Sequence, residues 1–158
     1  TGTGSDLTSI WLVVWGPNTV HMIYPKGSTA GIAHKDLGEQ TILDGSGGQF
    51  QGYRSHYKLS PGMTVRDWRY VVRIANVESD AISTDLLIKA INTIPNIGMG
   101  RAAFYMNRNV KTSLDIAAQA KSNVLVTVGN EFGKPITQFR GIPCRQCDAL
   151  IQTETALT

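Results

Sequence analysis

The sequence predicts an α+β fold, because many short apolar runs typical of strands surround two segments with helical spacing. The chain has 158 residues, of which 42% are hydrophobic and 17% charged. A chain of this size buries about two-thirds of its unfolded surface, which is enough for a core without disulfide staples. The longest apolar run, Ile10 to Trp15, is far shorter than the roughly 18 residues that span a bilayer. The composition therefore excludes a disulfide miniprotein and a membrane-spanning helix.

Two apolar runs at the start of the chain predict buried strands, Ile10 to Val14 and Val20 to Tyr24. The turn signal Gly16-Pro17-Asn18 lies between them and predicts a hairpin. Small and polar residues from Ala30 to Gln40 predict a surface loop.

Two further strand signals follow this loop, on either side of a glycine-rich turn. Thr41 to Leu43 is long enough for a short strand, and the turn comprises Asp44 to Gly48. Gln49 to Leu59 is rich in Tyr, Phe and His and predicts the start of a second strand series.

The clearest strand in the sequence is Val65 to Val77. With a period of two, Trp68, Tyr70, Val72 and Ile74 share one face, whereas Asp67, Arg69 and Arg73 share the other. We expect the aromatic face to pack in the core. The charged face suits contact with solvent, a neighbouring subunit or a phosphate group.

Helical spacing begins after Ser83 and again near Asn107. Leu87, Ile91 and Ile94 form the apolar stripe of the first helix, which Pro95 ends, and the second helix runs to about Lys121. The remaining segments predict strands, namely Ala102 to Met106 between the helices and Val124 to Val128, Ile136 to Phe139 and Cys144 to Ile151 after them.

The net charge of +3 and the pI near 9.0 are too small to indicate a nucleic-acid-binding protein unless the charge is concentrated. Residues 51–73 carry five cationic side chains against Asp67. Arg and aromatic residues interleave in residues 53–73, so a small nucleic-acid-binding module that uses this segment is the alternative function.

The sequence predicts no catalytic residue, cofactor or metal ligand set. Cys144 and Cys147 form a Cys-x-x-Cys pair, but the pair follows strand-like sequence and has no second pair for zinc. His21, His34 and His56 are scattered and stand in no catalytic spacing. We expect both thiols to be packing residues. An enzyme that uses them as reactive groups is the weaker hypothesis.

Several longer strings carry a family resemblance: Ser9 to Gly16, Ile23 to Gly27, Val65 to Asn76, and Gly141 to Pro143 with Asp148-Ala149 beyond. Together they resemble the major capsid proteins of a group of tailed bacteriophages that includes Bordetella phages and the epsilon-fifteen type. The resemblance covers nearly the whole chain.

The resemblance implies the Hong Kong ninety-seven type capsid fold, with axial and peripheral domains, an N-terminal arm and an extended loop. It implies that residues 1–50 and 81–158 are axial and residues 51–80 peripheral. Capsid chains of this group are longer, so the chain resembles a C-terminal portion that lacks the arm and the extended loop. The order of the segments also suggests a circularly permuted connection.

The resemblance further implies a structural subunit of an icosahedral head, located in the virion and in the host cytoplasm during assembly. Its partners would be copies of itself in pentamers and hexamers, decoration or scaffolding proteins, and packaged double-stranded DNA in non-specific contact. No membrane or cofactor is implied. Arg66, Asp67, Arg69 and Arg73 are the candidates for ion pairs between subunits.

Overall fold

The computed structural model describes residues 6–78, 82–119, 126–131 and 134–157. The chain divides into two compact units. The first unit combines Thr1–His21 with Val65–Thr158, and the second is Met22–Thr64. The axial and peripheral assignment of residues 1–50, 51–80 and 81–158 stays a prediction.

The described residues form ten strands, two helices and two short 3-10 turns, at Trp68–Tyr70 and Ile97–Met99. The helices are α1 (Thr84–Thr93) and α2 (Arg108–Gln119). The strands are β1 (Leu7–Trp15), β2 (Val20–Ile23), β3 (Ile32–Leu43), β4 (Gln49–Leu59), β5 (Gly62–Val65), β6 (Val71–Glu78), β7 (Arg101–Met106), β8 (Val126–Glu131), β9 (Lys134–Phe139) and β10 (Ile142–Gln146). This mixture confirms the predicted α+β class.

The sheet of the first unit is built around β1. Strand β6 pairs antiparallel with β1 along one edge, and β7 pairs antiparallel with the other edge. Strand β10 then lies parallel to β7, and β9 and β8 follow antiparallel. Strand β6 covers the first part of β1 and β7 the last part, and at residues 11–13 the backbone is paired on both edges.

The core of the first unit lies on one face of this sheet. Leu12 of β1 and Phe104 of β7 are fully buried, and Phe104 meets Phe139 edge to face with ring centroids 6.2 Å apart. The helices cover the same face through their apolar stripes, which include Leu87 of α1 and Leu114 of α2. Burial of each such side chain contributes about 1.5–3 kcal/mol, so these contacts hold both helices against one face.

Both predicted helices are confirmed, within small shifts at their ends. Ser83 occupies the cap position of α1, although its side chain makes no cap hydrogen bond. Asn107 precedes α2 and accepts a hydrogen bond from the Asn109 backbone N–H at 3.2 Å. Lys121, at the predicted end of the second helix, lies outside the described residues.

The second unit contains a long two-stranded ribbon, β3 paired antiparallel with β4 from Ile32↔Leu59 to Leu43↔Gln49. Asp44 closes the connecting turn, since its Oδ1 accepts hydrogen bonds from the backbone N–H groups of Ser46 and Gly48. Gly47 adopts φ +85° in this turn, a conformation that suits glycine.

The predicted loop from Ala30 to Gln40 is wrong, because most of it belongs to β3, which continues through Thr41 to Leu43. The error has a physical cause. Most residues along both ribbon strands are exposed, so neither face imposes the apolar and polar alternation by which a strand is recognised.

The predicted hairpin of Ile10 to Val14 with Val20 to Tyr24 is also wrong. Strands β1 and β2 meet in parallel at Trp15↔Val20. The edges of β1 are taken by β6 and β7, so β2 cannot fold back along it. The hydroxyl of Thr19 donates to the Val14 carbonyl at 2.7 Å and stabilises the connection.

The three strands predicted near the end of the chain are present with shifted bounds. Residues 124–125 of the first fall outside the described residues, and the structure places β8 at Val126–Glu131. The predicted strand Cys144 to Ile151 ends earlier, because β10 stops at Gln146 and a turn begins at Cys147.

Gly100 offers a direct test of the packing beside β1. A Cβ at this position would lie 2.2 Å from the Trp15 carbonyl oxygen, which is rigid backbone. We expect Gly100→Ala to lower the free energy of unfolding by about 1–3 kcal/mol, measured by urea denaturation. Gly45→Ala is the matched control, since a Cβ there meets no atom within 4 Å, and a change within about 0.5 kcal/mol is expected. Equal stability of the two variants would contradict this packing.

Candidate subunit interface

Three of the four predicted interface residues, Arg66, Asp67 and Arg69, lie around a short turn that interrupts the predicted strand Val65 to Val77. Asp67 caps the turn, because its Oδ1 accepts a hydrogen bond from the Arg69 backbone N–H at 3.0 Å and its carbonyl accepts from the Tyr70 N–H at 3.3 Å. The strand resumes as β6 at Val71. The segment is therefore two strands joined by a turn.

Asp67 and Arg69 form an ion pair within the chain. The Arg69 guanidinium donates from Nε to Oδ1 at 3.0 Å and from Nη2 to Oδ2 at 2.7 Å. These hydrogen bonds lower the pKa of Asp67 and raise that of Arg69 from their ordinary values. Both groups are solvated, so salt screens the pair and its main effect is to hold the turn's shape.

Trp68 stands out from this turn and is 79% exposed, so the expectation that it packs in the core with Tyr70 is wrong for Trp68. Tyr70 itself is buried. The turn breaks the period of two on which the expectation rested, and it presents Trp68 between the exposed residues Arg66 and Arg69. Trp and Arg are the residue types most enriched at interface hot spots.

Arg73 lies apart from this turn and binds within the chain. Its Nε donates to the Ser9 hydroxyl at 3.0 Å, and its Nη2 lies 3.2 Å from Glu154 Oε2. The guanidinium also lies over the Trp11 ring, 5.5 Å from the centroid, and Ser9 donates to the same Glu154 oxygen. Arg73 thus joins β6, β1 and the C-terminal segment.

The C-terminal segment is held by partners that the sequence does not predict. Leu7 and Glu154 exchange two backbone hydrogen bonds, and the Asn76 side chain exchanges two with Leu157 at 2.8 Å each. Asn76 adopts φ +57°, a region in which Asn is enriched. No local signal pairs residues this far apart in the chain.

The Cys-x-x-Cys pair does not form a reactive dithiol. Both thiols are free, with Cys144 buried and Cys147 partly buried. Burial raises the pKa of Cys144 to about 12, whereas redox and metal-binding thiols need a lowered pKa. Among the described residues, no group of three or more His, Cys, Asp or Glu side chains could hold a metal ion.

The residues of the alternative nucleic-acid segment, 53–73, are divided between the two units. Tyr53 and Tyr57 are exposed on the ribbon, in the second unit, whereas Arg66 to Arg73 belong to the first. His34 stacks on Tyr57 with ring centroids 4.5 Å apart.

The described helices include none that is long and apolar enough to cross a membrane.

Comparisons with known proteins agree with the resemblance. The family model of the major capsid protein GP7 matches residues 1–158. A chain in the near-atomic cryo-EM structure of bacteriophage Epsilon15 is similar to this chain at 35% sequence identity, with a TM-score of 0.59. The match covers 98% of this chain and 50% of that chain, so the present chain spans half its length. No curated protein sequence matches.

Arg73 and Arg69 allow a matched test of which arginine stabilises the chain. We expect Arg73→Ala to lower the free energy of unfolding by about 1–2 kcal/mol, because Glu154 and Ser9 lose a charged hydrogen-bond partner. Arg69→Ala removes the same charge from a solvated pair and should change stability less. Urea denaturation of both variants checks this, and a larger loss in Arg69→Ala would contradict the assignment.

The two thiols differ in burial, which predicts that an alkylating reagent modifies them at different rates. In the folded chain at pH 8, iodoacetamide should modify Cys147 more than about tenfold faster than Cys144, because the raised pKa leaves almost no Cys144 thiolate and burial blocks access. Peptide mass mapping over time measures both rates. In urea the two rates should converge, and fast labelling of Cys144 in the folded chain would show that it is not buried.

Proposed function

Because this chain belongs to the major capsid protein GP7 family, we propose that it forms part of the subunit that tiles a bacteriophage head around double-stranded DNA. The Epsilon15 match, at 35% identity over nearly the whole chain, supports the same role and the Hong Kong ninety-seven type fold. The subunit acts in the virion, and assembly takes place in the host cytoplasm. Its role is structural and needs no catalytic group or cofactor.

The observation that carries this proposal is the exposed apolar surface of the second unit. Ten large hydrophobic side chains of Met22–Thr64 are exposed: Met22, Ile23, Tyr24, Ile32, Leu43, Phe50, Tyr53, Tyr57, Leu59 and Met63. A monomeric protein rarely exposes so many neighbouring apolar groups. A two-stranded ribbon is also only marginally stable alone, so a partner surface would both cover and stabilise it.

The two ribbon faces differ, which gives the ribbon a definite orientation. Register places Leu59, Tyr57 and Tyr53 of β4 on one face, and the same face carries Ile32 and Leu43 of β3 together with the exposed carboxylates of Asp36 and Glu39. Arg54 and Lys58 alternate with these residues and therefore point to the opposite face. The apolar face suits contact with a neighbouring copy, while the basic face suits solvent or an acidic surface.

We expected the extended loop of the fold to be missing from this chain. The ribbon Ile32–Leu59 is long and exposed, and it belongs to the second unit. We therefore propose that the ribbon is that loop. This assignment replaces the earlier expectation, while the circularly permuted connection stays a prediction.

The turn with Trp68 supplies a second proposed contact between copies. Arg66 flanks the exposed indole and would meet a carboxylate of a neighbour, whereas Asp67 and Arg69 pair with each other and hold the turn that presents the indole. Arg73 would act indirectly, by holding the C-terminal segment through Glu154. Modest contacts of this kind, repeated through pentamers and hexamers, become strong in a closed shell.

Leu59→Lys tests the ribbon contact, with Ile116→Lys as its matched control. Leu59 is 63% exposed on the ribbon, and Ile116 is 62% exposed on α2, so both variants should fold. An ammonium buried in an apolar contact costs more than about 1.4 kcal/mol, and self-association of Leu59→Lys should weaken at least about tenfold. Sedimentation velocity and electron microscopy measure the assembled fraction.

Ile116→Lys should assemble like the unchanged chain. If both variants assemble normally, the ribbon face is not an interface. If the unchanged chain and its full-length parent stay monomeric at every concentration, the proposed function itself fails.

A further inference from the structure

The central sheet of the first unit has two unlike faces. Both described helices lie on the face that carries Leu12 and Phe104. By alternation along the strands, the opposite face carries Trp11 and Trp15 of β1 and Tyr105 of β7. This second face, which we call the aromatic face, is therefore the one without a covering helix.

Register across the sheet brings two arginines and two aromatic rings of the aromatic face into one row. Trp11 pairs with Arg73 of β6 on one side and with Tyr105 of β7 on the other, and Tyr105 pairs with Arg145 of β10. Strands lie about 4.8 Å apart, so the row from Arg73 to Arg145 is about 14 Å long. Arg101 lies on the same face, opposite Trp15.

The aromatic rings of this face are fixed in place. The Trp15 indole Nε1 donates to the Tyr105 hydroxyl at 2.8 Å, and the two rings meet edge to face with centroids 6.3 Å apart. Between their positions on the strands lies Ala103, which is only 3% exposed although it is not part of the core cluster. The aromatic pair is thus held rigidly beside the buried Ala103.

The charge of the aromatic face is positive. Arg101 and Arg145 are exposed, and neither guanidinium has an ion-pair partner in the described part of the chain. Arg73 is exposed as well, but it shares its charge with Glu154. Two arginines of the aromatic face are therefore left without a counter-charge among the described residues.

We propose that the aromatic face binds the phosphate backbone of double-stranded DNA, which deepens the proposed function by naming the surface that meets the packaged duplex. Arg is well suited to phosphate oxygens because its planar fork donates two parallel hydrogen bonds. Arg101 and Arg145 are the two arginines of this face that would contact phosphate oxygens, whereas Arg73 keeps its ion pair with Glu154.

The contact is independent of base sequence. The strands present a flat surface rather than a helix or a protruding ribbon that enters a groove, so no base edge is reached. Two unpaired arginines per subunit give a weak contact that many subunits repeat, and this holds the duplex without fixing its register.

The test compares two double variants of the chain that remove the same charge. Arg101→Gln with Arg145→Gln changes the aromatic face, and Arg54→Gln with Lys58→Gln changes two exposed cationic residues of the alternative segment 53–73. The affinity of each for a 30-base-pair duplex is measured by fluorescence anisotropy between 20 and 200 mM salt. The negative slope of log affinity against log salt should become less steep by about 1.8 in the first variant, which is about 0.9 for each lost phosphate contact. In the second variant the slope should not change.

A second readout uses tryptophan fluorescence in Trp68→Phe, which leaves Trp11 and Trp15 as reporters. Duplex DNA should quench their emission, and Arg101→Gln with Arg145→Gln should abolish the quenching. Equal slopes in both double variants, a larger loss in the segment 53–73 variant, or no duplex binding by the unchanged chain at low salt would overturn the proposal.

Self-association is scored separately for the same proteins by sedimentation velocity. The aromatic-face variant should assemble as the unchanged chain does. If it loses self-association and keeps its DNA affinity, the face is a protein interface and the proposal is overturned. If no protein self-associates while the DNA slopes differ as expected, the shell function fails and the DNA surface stands.

Discussion

The structure of the first unit depends on the placement of β1 between β6 and β7. This strand satisfies its backbone on both edges and buries Leu12 completely. Its register fixes which side chains face the helices and which form the opposite face, because a slip of one residue would exchange the two sets. Core packing, the aromatic face and the attachment of the C-terminal segment at Leu7 and Ser9 all follow from this one strand.

The second unit follows a different physical rule. The ribbon is held by its own ladder and by a turn closed by Asp44, and most of its side chains are exposed. Hydrophobic burial therefore contributes little to it within one copy, and its apolar face gains that contribution only when another surface covers it. A well-packed unit joined to an unburied ribbon therefore suits the proposed assembly from copies.

The sequence predicted both helices from apolar residues at helical spacing and the strand with Leu12 from a continuous apolar run. It also predicted β4, although this strand is exposed on both faces, from its content of Tyr, Phe and His. The strand β3 was missed because neither of its faces is buried, and Trp68 was misplaced because the cap of Asp67 ends the strand alternation. The partners of Arg73 could not be found, since Ser9 and Glu154 come from distant parts of the chain. The rows across the aromatic face depend on strand order, which no local pattern gives.

The central claim is that this chain works by fitting against copies of itself through the ribbon. Hydrogen–deuterium exchange, compared between unassembled subunits and purified shells, tests it most directly. The ribbon amides of residues 32–59 should exchange rapidly before assembly and become strongly protected in shells, whereas the amides of β1 are protected in both states. Ribbon amides that exchange equally fast in both states would contradict the account.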